Sequence, residues 1–180
     1  MRIISGDFRG HRIKAVPGVG TRPTADKIKG AIFNVLREKI ENSRVLDLFS
    51  GTGNLAFEAL SRGAKEAVLV EKSRIAQEVI RENIEHLGME NAKLMTMDAF
   101  EYLKQSQEDE FDLVFIDPPY HQGLAGKSLN HLVNPCRLSA LGVIIVETAK
   151  DEILPEVKPF EVRKTGEYGD TKIWYIQRID

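Results

Sequence analysis

The sequence predicts an α/β fold in which helices cover both faces of a mostly parallel β-sheet. From residue 44 onward, apolar stretches typical of buried strands alternate with stretches of helical periodicity. One apolar stretch, Val45–Ser50, runs through a glycine turn directly into a helical pattern. Such alternation is the pattern of βαβ units, which need a parallel sheet. The 180 residues are enough for one domain with a full α/β core.

The predicted elements follow one another without an intervening linker or repeat. Strands are predicted at 44–49, 67–71, 93–97, 111–116 and 142–147, and helices at 53–62, 74–87, 99–106 and 123–138. A C-terminal hairpin is predicted from 160–164 and 172–177, which flank a longer loop at 166–170. We therefore expect a single domain 1–180, with an N-terminal extension 1–41 and a core 42–180.

The N-terminal extension is predicted to hold a hairpin and a helix. Residues 1–16 have the pattern of a β-hairpin with glycine at its bends. Residues 25–41 have the pattern of an amphipathic helix, with Thr24 as its N-cap. Gly30 lies inside the helical pattern at a cost of about 1 kcal/mol relative to alanine, so we expect another group to approach closely there.

Positive charge is concentrated in the N-terminal extension. Residues 1–40 hold nine Lys and Arg against three acidic residues, a net charge of +6, which leaves −8 for the rest of a chain whose total is −2. A basic arm on an acidic body suits a polyanion such as nucleic acid, because phosphate contacts supply affinity without reading sequence. The charge alone is equally consistent with a solvated surface.

Composition argues against several classes of protein. The longest apolar stretches are far too short to cross a bilayer, and the N-terminus lacks the apolar segment of a secretory signal. Cys136 is the single cysteine, which excludes an internal disulfide and a cysteine-based metal cluster. We therefore expect a cytoplasmic protein that uses neither a membrane nor a metal.

The stretch after the first strand has the features of a nucleotide-type cradle. Gly51 and Gly53 let a ligand approach the backbone, and the helix that follows points free N–H groups at it. A dinucleotide fingerprint would need a third glycine where Ala56 stands. Asp47 would repel a pyrophosphate and suits a cationic or polar group, such as the amino-acid part of S-adenosylmethionine. A carboxylate that only braces the loop remains the alternative.

Two further strands also end in acidic residues. Glu71 lies 18 residues after Gly53, where an acidic side chain binds the ribose hydroxyls of a nucleotide or else caps the next helix. Asp98 can accept a hydrogen bond from an adenine amino group or N-cap the helix that begins at 99. Because ligands of open α/β sheets bind at the carboxyl ends of the strands, we expect Asp47, Glu71 and Asp98 at one site.

The sharpest motif is Asp117–Tyr120, in which two prolines separate an acidic from an aromatic residue. Pro118 and Pro119 fix φ and remove two N–H donors, and proline pushes Asp117 to an extended conformation. The loop is therefore expected to present a carboxylate and a backbone carbonyl to an exocyclic amine on a planar base. These acceptors would aim the amine lone pair at an electrophilic methyl group, while Tyr120 stacks on the base.

The glycine loop, Asp47-x-Phe49-x-Gly51-x-Gly53, together with Asp117–Tyr120 resembles the class I S-adenosylmethionine-dependent amino-methyltransferases. N-terminal motifs make the chain similar to the bacterial 16S ribosomal RNA guanine-N2 methyltransferases of the RsmD type. These motifs are Arg2–Gly6, Arg9-Gly10, Arg22–Thr24 with Asp26, Ala31–Asn34 and, after the glycine loop, Leu60–Ala64. The resemblance covers essentially the whole chain and departs at Gly30, where the family often has an acidic residue.

The resemblance implies a Rossmann-like class I methyltransferase fold, with a seven-stranded sheet whose one antiparallel strand belongs to the C-terminal hairpin. It also implies S-adenosylmethionine as the cofactor. By this resemblance Asp47, Phe49, Gly51 and Gly53 would line the methionine end, Glu71 would hold the ribose, Lys72 would lie beside the adenine, and Asp98 and Ala99 would contact the adenine edge.

The resemblance further implies methylation of N2 of a guanine in 16S rRNA, free or in an assembling small subunit. By the same resemblance Asp117, Pro118, Pro119 and Tyr120 would hold the target base, Arg22 and Thr24 would close over the site, and Arg2, Arg9 and Arg12 would bind RNA. Because Asp-Pro-Pro-Tyr also occurs in DNA adenine methylases, an adenine-N6 methyltransferase acting on DNA or other RNA remains the alternative. We expect a monomer or a weak dimer.

Overall fold

The chain folds into a sheet with helices on both faces. A computed structural model describes residues 1–18, 24–105 and 109–179. The described strands are β1 (Arg44–Asp47), β2 (Glu66–Val70), β3 (Ala92–Met95), β4 (Phe111–Ile116), β5 (Leu138–Ala149), β6 (Phe160–Tyr168) and β7 (Thr171–Arg178). The described helices are α1 (Thr24–Leu36), α2 (Asn54–Ser61), α3 (Arg74–Leu87), α4 (Ala99–Lys104) and α5 (Leu124–His131), and a 3₁₀ turn (Arg37–Lys39) follows α1.

The sheet is parallel except for one strand. Its seven strands lie in the order β3-β2-β1-β4-β5-β7-β6. Every neighbouring pair from β3 to β5 is parallel, whereas β7 lies between β5 and β6 and is antiparallel to both. The predicted fold class, including the single antiparallel strand in the C-terminal hairpin, is confirmed.

The strand order reverses between β1 and β4, whose carboxyl ends lie side by side. In the ladder, Asp47 at the end of β1 pairs with Leu69 of β2 on one side and with Phe115 of β4 on the other. The backbone N–H of Leu48 continues this ladder by donating to the carbonyl of Phe115 at 3.1 Å. A crevice opens in open α/β sheets where the order reverses, so the loops after β1 and β4 border the same crevice.

Apolar clusters bury both faces of the sheet. One cluster packs α1, α2 and α3 on the sheet and includes the fully buried rings of Phe33 and Phe57. The other packs α4 and α5 on the opposite face and includes Tyr102. Val114 and Phe115 of β4 belong to different clusters, because successive side chains of a strand point to opposite faces.

The N-terminal segment 1–18 makes a shorter antiparallel contact than predicted. One isolated bridge joins Arg2 to Arg12, and Ile3 and Ile13 are buried against the first cluster. In this register the N–H of Ile13 donates to the Met1 carbonyl at 2.9 Å, and beyond it the side chain of Asn83 binds the backbone of Lys14. The N–H of Lys14 donates to Asn83 Oδ1 at 2.8 Å, and Asn83 Nδ2 donates to the Lys14 carbonyl at 3.2 Å.

The helix predicted at 123–138 ends early. It stops at His131, and β5 already begins at Leu138, although the sequence predicted that strand only from 142. Asn134–Pro135 explains the stop, since proline has no N–H to donate and disfavours the helical conformation of the residue before it.

Three further predictions need correction. The helix predicted to reach residue 41 ends at Leu36 and tightens into the 3₁₀ turn. The C-terminal hairpin has a short turn at Gly169 and Asp170 rather than a long loop, because 166–168 remain paired with 171–173. Gly30 meets no close neighbour, since a Cβ there would find nothing within 4 Å outside its own helix.

Candidate active site

The turn after β1 depends on glycine at two positions. Gly51 has φ +55° and Gly53 has φ +80°, values in the left-handed region that other residues adopt only with strain. A Cβ on Gly53 would also lie 2.4 Å from the ring of Phe57 and 2.9 Å from the side chain of Leu69. The N–H of Gly53 donates to the carbonyl of Ser50 at 2.7 Å and closes the turn. The sequence therefore bends the chain sharply between β1 and α2.

Asp47 is a buried carboxylate that lacks a full set of partners. It is 1% exposed, and its Oδ1 has no hydrogen-bond partner among the described residues. Burial, followed by the negative charge of Glu71, raises the pKa of Asp47 to about 7. A cation or strong donor placed against this oxygen would relieve both penalties. The environment of Asp47 therefore fits an ammonium group better than a phosphate.

Glu71 ties the end of β2 to the glycine turn. Its Oε2 accepts a hydrogen bond from the N–H of Gly51 at 2.9 Å, and its Oε1 accepts one from the N–H of Ser73 at 2.7 Å. The N-cap of α3 is Ser73, whose hydroxyl accepts from the N–H of Ala76. Glu71 is thus not the helix cap, and its carboxylate lies beside the proposed cradle.

Lys72, Asp98 and Ala99 come together beyond β2 and β3. Asp98 N-caps α4, since its Oδ1 accepts from the N–H of Phe100 at 2.8 Å. Its Oδ2 lies 4.0 Å from the Nζ of Lys72, and Ala99 is buried at the start of α4. Phe49 packs edge-on against Phe100, with ring centroids 6.3 Å apart. Asp98 is therefore the N-cap of α4, one of its two predicted roles, and its second oxygen lies near Lys72.

The Asp117–Tyr120 loop follows β4 and is anchored through its aromatic end. The hydroxyl of Tyr120 donates to Oε1 of Glu147 at 2.5 Å and lies 3.3 Å from the hydroxyl oxygen of Thr171. Burial and the bond to Glu147 raise the pKa of Tyr120. Asp117 is partly exposed, Pro118 is buried and Pro119 is exposed. The two prolines thus make the start of the loop rigid where it leaves the core, and the hydrogen bond to Glu147 holds the tyrosine side chain at the end of the loop.

The predicted residues fall into two groups in the structure. Asp47 is the last residue of β1, and Glu71, Asp98 and Asp117 come soon after the carboxyl ends of β2, β3 and β4, so that all four belong to neighbouring parallel strands. Arg2, Arg9 and Arg12 are exposed on the N-terminal segment, and Arg2 lies 3.8 Å from Asp26. The prediction for Arg22 falls outside the described residues, as does the one for the side chain of Thr24, the residue at which α1 begins.

Sequence reasoning missed a buried polar network between the N-terminal segment and the glycine turn. Lys29 and Glu58 pair at 3.2 Å with side chains 1% and 0% exposed, and Lys29 also donates to the Arg2 carbonyl and to Asn54 Oδ1. Burial lowers the pKa of Lys29. The pairing of Glu58 with Arg62 one helical turn away was the visible signal, and it forms at 2.8 Å. Lys29 gave no such signal in the sequence, because it lies next to the apolar stripe of α1 and reads as a residue at its solvent-facing edge.

Asn83 and Glu147 were also missed. Asn83 is 1% exposed on α3 and holds Lys14 while its Nδ2 lies 3.2 Å from the Thr52 carbonyl. A polar side chain on the apolar stripe of a helix was the signal for Asn83. Glu147 lies in an apolar strand, and only the fold reveals that it faces Tyr120.

The described ranges show neither a metal site nor a membrane span. No group of three or more His, Cys, Asp or Glu in them is arranged to hold a metal ion. None of the helices in these ranges is long and apolar enough to cross a bilayer.

Comparison with known proteins agrees with the geometry. A family model described as Conserved hypothetical protein 95 matches residues 1–177. The Ribosomal RNA small subunit methyltransferase D of Haemophilus influenzae is 38% identical over 161 residues, which cover 87% of this chain and 83% of that protein. The protein of the same name from Escherichia coli K12 is 34% identical over 157 residues, which cover 87% of this chain and 79% of that protein.

Solved structures share the fold over nearly the whole chain. A candidate methyltransferase from Escherichia coli has a TM-score of 0.89 at 32% identity and covers 99% of this chain and 97% of its own. A candidate methylase from Haemophilus influenzae has a TM-score of 0.86 at 32% identity, with 99% and 98% covered. The fold is that of the S-adenosylmethionine-dependent class I methyltransferases. The chain belongs to the Conserved hypothetical protein 95 family, the RsmD-type ribosomal RNA methyltransferases that its motifs resemble.

Proposed function

We propose that this chain uses S-adenosylmethionine to methylate the exocyclic N2 amine of a guanine in 16S rRNA. The observation that carries the proposal is the adjacency of β1 and β4, whose ladder pairs Asp47 with Phe115. A cofactor bound at the glycine turn and a base bound at Asp117–Tyr120 would face each other across one crevice. Relatives named as small-subunit ribosomal RNA methyltransferases support the choice of substrate.

The glycine turn fits the amino-acid end of the cofactor. The unpartnered oxygen and raised pKa of Asp47 would be relieved by an ammonium group. A Cβ on Gly51 would meet nothing within 4 Å, so the backbone there is open to a ligand. Glu71 would hold the ribose, and Lys72 with Asp98 would border the adenine. When bound, S-adenosylmethionine supplies a methyl carbon activated by its sulfonium, and the carbon–sulfur bond breaks with its electron pair on sulfur.

The Asp117–Tyr120 loop would hold the amine that receives the methyl group. An exocyclic amine on a purine is a weak nucleophile because its lone pair is delocalised into the ring. Asp117 and a backbone carbonyl of the loop would accept hydrogen bonds from its two N–H groups and direct the lone pair at the methyl carbon. After the new carbon–nitrogen bond forms, the nitrogen would give up one proton to water. Catalysis would come from orientation and from electrostatics aimed at the amine. The base must leave its stack to reach this loop.

The N-terminal segment would supply the RNA contacts as a fixed surface. Arg9 and Arg12 are exposed, while the backbone just before them is tied to α2 by Ser61. The hydroxyl of Ser61 donates to the Ser5 carbonyl at 2.7 Å and accepts from the N–H of Phe8 at 3.0 Å. Basic side chains on an anchored backbone lose less entropy on binding a phosphate backbone than they would on a free tail.

The substrate is tested by incubating the protein with labelled S-adenosylmethionine and one of three acceptors. These are small ribosomal subunits lacking the modification, naked 16S rRNA and duplex DNA. We expect label in ribosomal RNA and, after digestion, a methylated nucleoside whose mass and retention match N2-methylguanosine. Label recovered as N6-methyladenine would assign the alternative reaction, and absence of label from all three acceptors would contradict the proposal.

A further inference from the structure

We propose that Glu147 is a positioning residue that sets the Tyr120 ring against the target base by accepting a hydrogen bond from the tyrosine hydroxyl. The proposal rests on the proposed function, in which Tyr120 stacks on that base. Neither the Asp-Pro-Pro-Tyr motif nor the glycine turn includes Glu147, which lies 27 residues after Tyr120 in β5.

Glu147 and Thr171 reach Tyr120 from two different strands of the sheet. The register pairs Glu147 with Ile173 in β7, and Thr171 lies two residues before Ile173 on the same face of that strand. Their oxygens lie 2.5 Å and 3.3 Å from the hydroxyl oxygen of Tyr120. Thr171 is 4% exposed, so one side of this pair is part of the rigid core. The hydroxyl is therefore held by neighbours fixed through backbone pairing.

The loop needs such an anchor at its aromatic end. Pro118 and Pro119 fix the backbone before Tyr120, but they do not fix the tyrosine side chain, which can rotate about its own χ1. The residue after it, His121, has φ +60°, which is a strained backbone conformation for any residue other than glycine. A hydrogen bond from a phenol to a carboxylate is charge-assisted and stronger than a neutral one. It can therefore hold the ring in a single orientation.

The protonation state of the Tyr120 hydroxyl suits this role. Burial and the Glu147 carboxylate raise the pKa of Tyr120, so the hydroxyl keeps its proton and remains a donor at every pH used in an assay. The anchoring oxygens contact the hydroxyl and not the ring faces. The expected effect of losing the anchor is a misplaced base, with the cofactor unaffected.

A double-mutant cycle separates positioning from direct contact with the base. Tyr120→Phe keeps the ring and removes the hydroxyl, and Glu147→Ala removes the acceptor. Each is expected to lower kcat about 10-fold to 100-fold, the range for losing a hydrogen bond to a charged group. If Glu147 acts through the hydroxyl, the double variant loses no more than the larger single loss. Additive losses, or full activity of Glu147→Ala, would overturn the proposal.

Two further measurements guard against a merely structural effect. Glu147→Gln keeps an acceptor oxygen at the same place and is expected to recover most of the lost kcat. Should Glu147→Ala fail to fold, Glu147→Met replaces it in the cycle, because methionine keeps most of the side-chain volume and has no acceptor oxygen. Affinity for S-adenosylhomocysteine, measured by calorimetry, should stay within about twofold of wild type in all variants. A loss of cofactor affinity that parallels the loss of kcat would show general disruption and would contradict positioning.

Failure of the proposed function can be told apart from failure of this inference. Wild-type protein that labels none of the nucleic acids refutes the proposed function and says nothing against Glu147. The anchor is then tested without turnover, by a crystal structure of Glu147→Ala. A Tyr120 ring that stays where it is in the wild-type protein would overturn the inference whatever the substrate, and a displaced ring would support it.

Discussion

The Lys29–Glu58 pair predicts an asymmetric response to removing either partner. The Glu58 carboxylate accepts hydrogen bonds from the backbone N–H groups of Ile4 and Ser5 and from the side chain of Arg62, at distances between 2.8 and 3.1 Å, and forms an ion pair with Lys29 at 3.2 Å. It therefore joins α1, α2 and the N-terminal segment at one buried point. Glu58→Gln keeps the shape of the side chain but removes its charge and places an NH₂ group among donors.

The magnitude follows from what each substitution leaves behind. Glu58→Gln leaves the Lys29 ammonium buried without its counter-ion, and breaking a buried pair in this way costs about 3–5 kcal/mol. Lys29→Met leaves Glu58 paired with Arg62 and with two backbone N–H groups. The Arg2 carbonyl and Asn54 Oδ1 also lose the Lys29 donor, but both belong to residues that are not buried and can bind water instead. The cost should therefore be close to that of one hydrogen bond to a charged group, about 2 kcal/mol. The double variant should cost less than the sum, because the unpaired ammonium is gone.

Urea denaturation of the cofactor-free protein measures these free energies of unfolding. Glu82→Gln is the matched control, since Glu82 pairs with Lys14 at 2.9 Å on the surface with side chains about half exposed or more. It should change stability by less than about 1 kcal/mol. Equal costs for Glu58→Gln and Lys29→Met, or a Glu58→Gln protein as stable as the surface control, would refute the reasoning.

Four other predictions address the cofactor site and the RNA. Affinity for S-adenosylhomocysteine, by calorimetry, should weaken as pH falls below about 7, because the raised pKa of Asp47 makes binding of an ammonium release a proton; a flat profile would contradict this. By the same linkage Asp47→Asn should stabilise the cofactor-free protein at pH 8, where wild type bears a buried charge, and not at pH 4. Asn83→Asp, which sets a carboxylate against the carbonyls of Lys14 and Thr52, should lower both thermal stability and cofactor affinity. Unchanged cofactor affinity would show that the contact of Asn83 with Thr52 does not support the glycine turn. Arg9→Gln with Arg12→Gln should weaken rRNA binding and reduce its salt dependence by up to about two phosphate contacts, with cofactor affinity unchanged as the control.

The parts of the fold that could be predicted are those set by local pattern. The βαβ alternation and the glycine turn at Gly51–Gly53 require only periodicity and backbone freedom, and both are present as predicted. The course of the N-terminal segment was less predictable, since the backbone of Lys14 is bound by Asn83, which lies on α3 far along the chain. A proline at 135 was visible in the sequence, but the longer β5 that begins after it depends on pairing with β4.

The candidate site divides in the same way. A shared site for Asp47, Glu71 and Asp98 could be predicted because acidic residues at the ends of successive parallel strands lie at one edge of the sheet. Glu147 could not, because its role depends on β5 and on a tyrosine brought to it by the turn after β4. Contacts between residues far apart in the chain carry no local signal, and these contacts supply the support for the site.

The most direct test of the central claim is the single-turnover rate of methyl transfer to ribosomal RNA by Asp117→Ala at saturating S-adenosylmethionine. Asp151→Asn, a neutralised and exposed carboxylate that lies 3.7 Å from His121 in the same region, serves as the matched control. The account predicts that the rate of Asp117→Ala falls by about 100-fold or more, as expected when a group that orients the nucleophile is lost, while the control keeps the wild-type rate. An Asp117→Ala protein that transfers the methyl group at the wild-type rate would contradict the account.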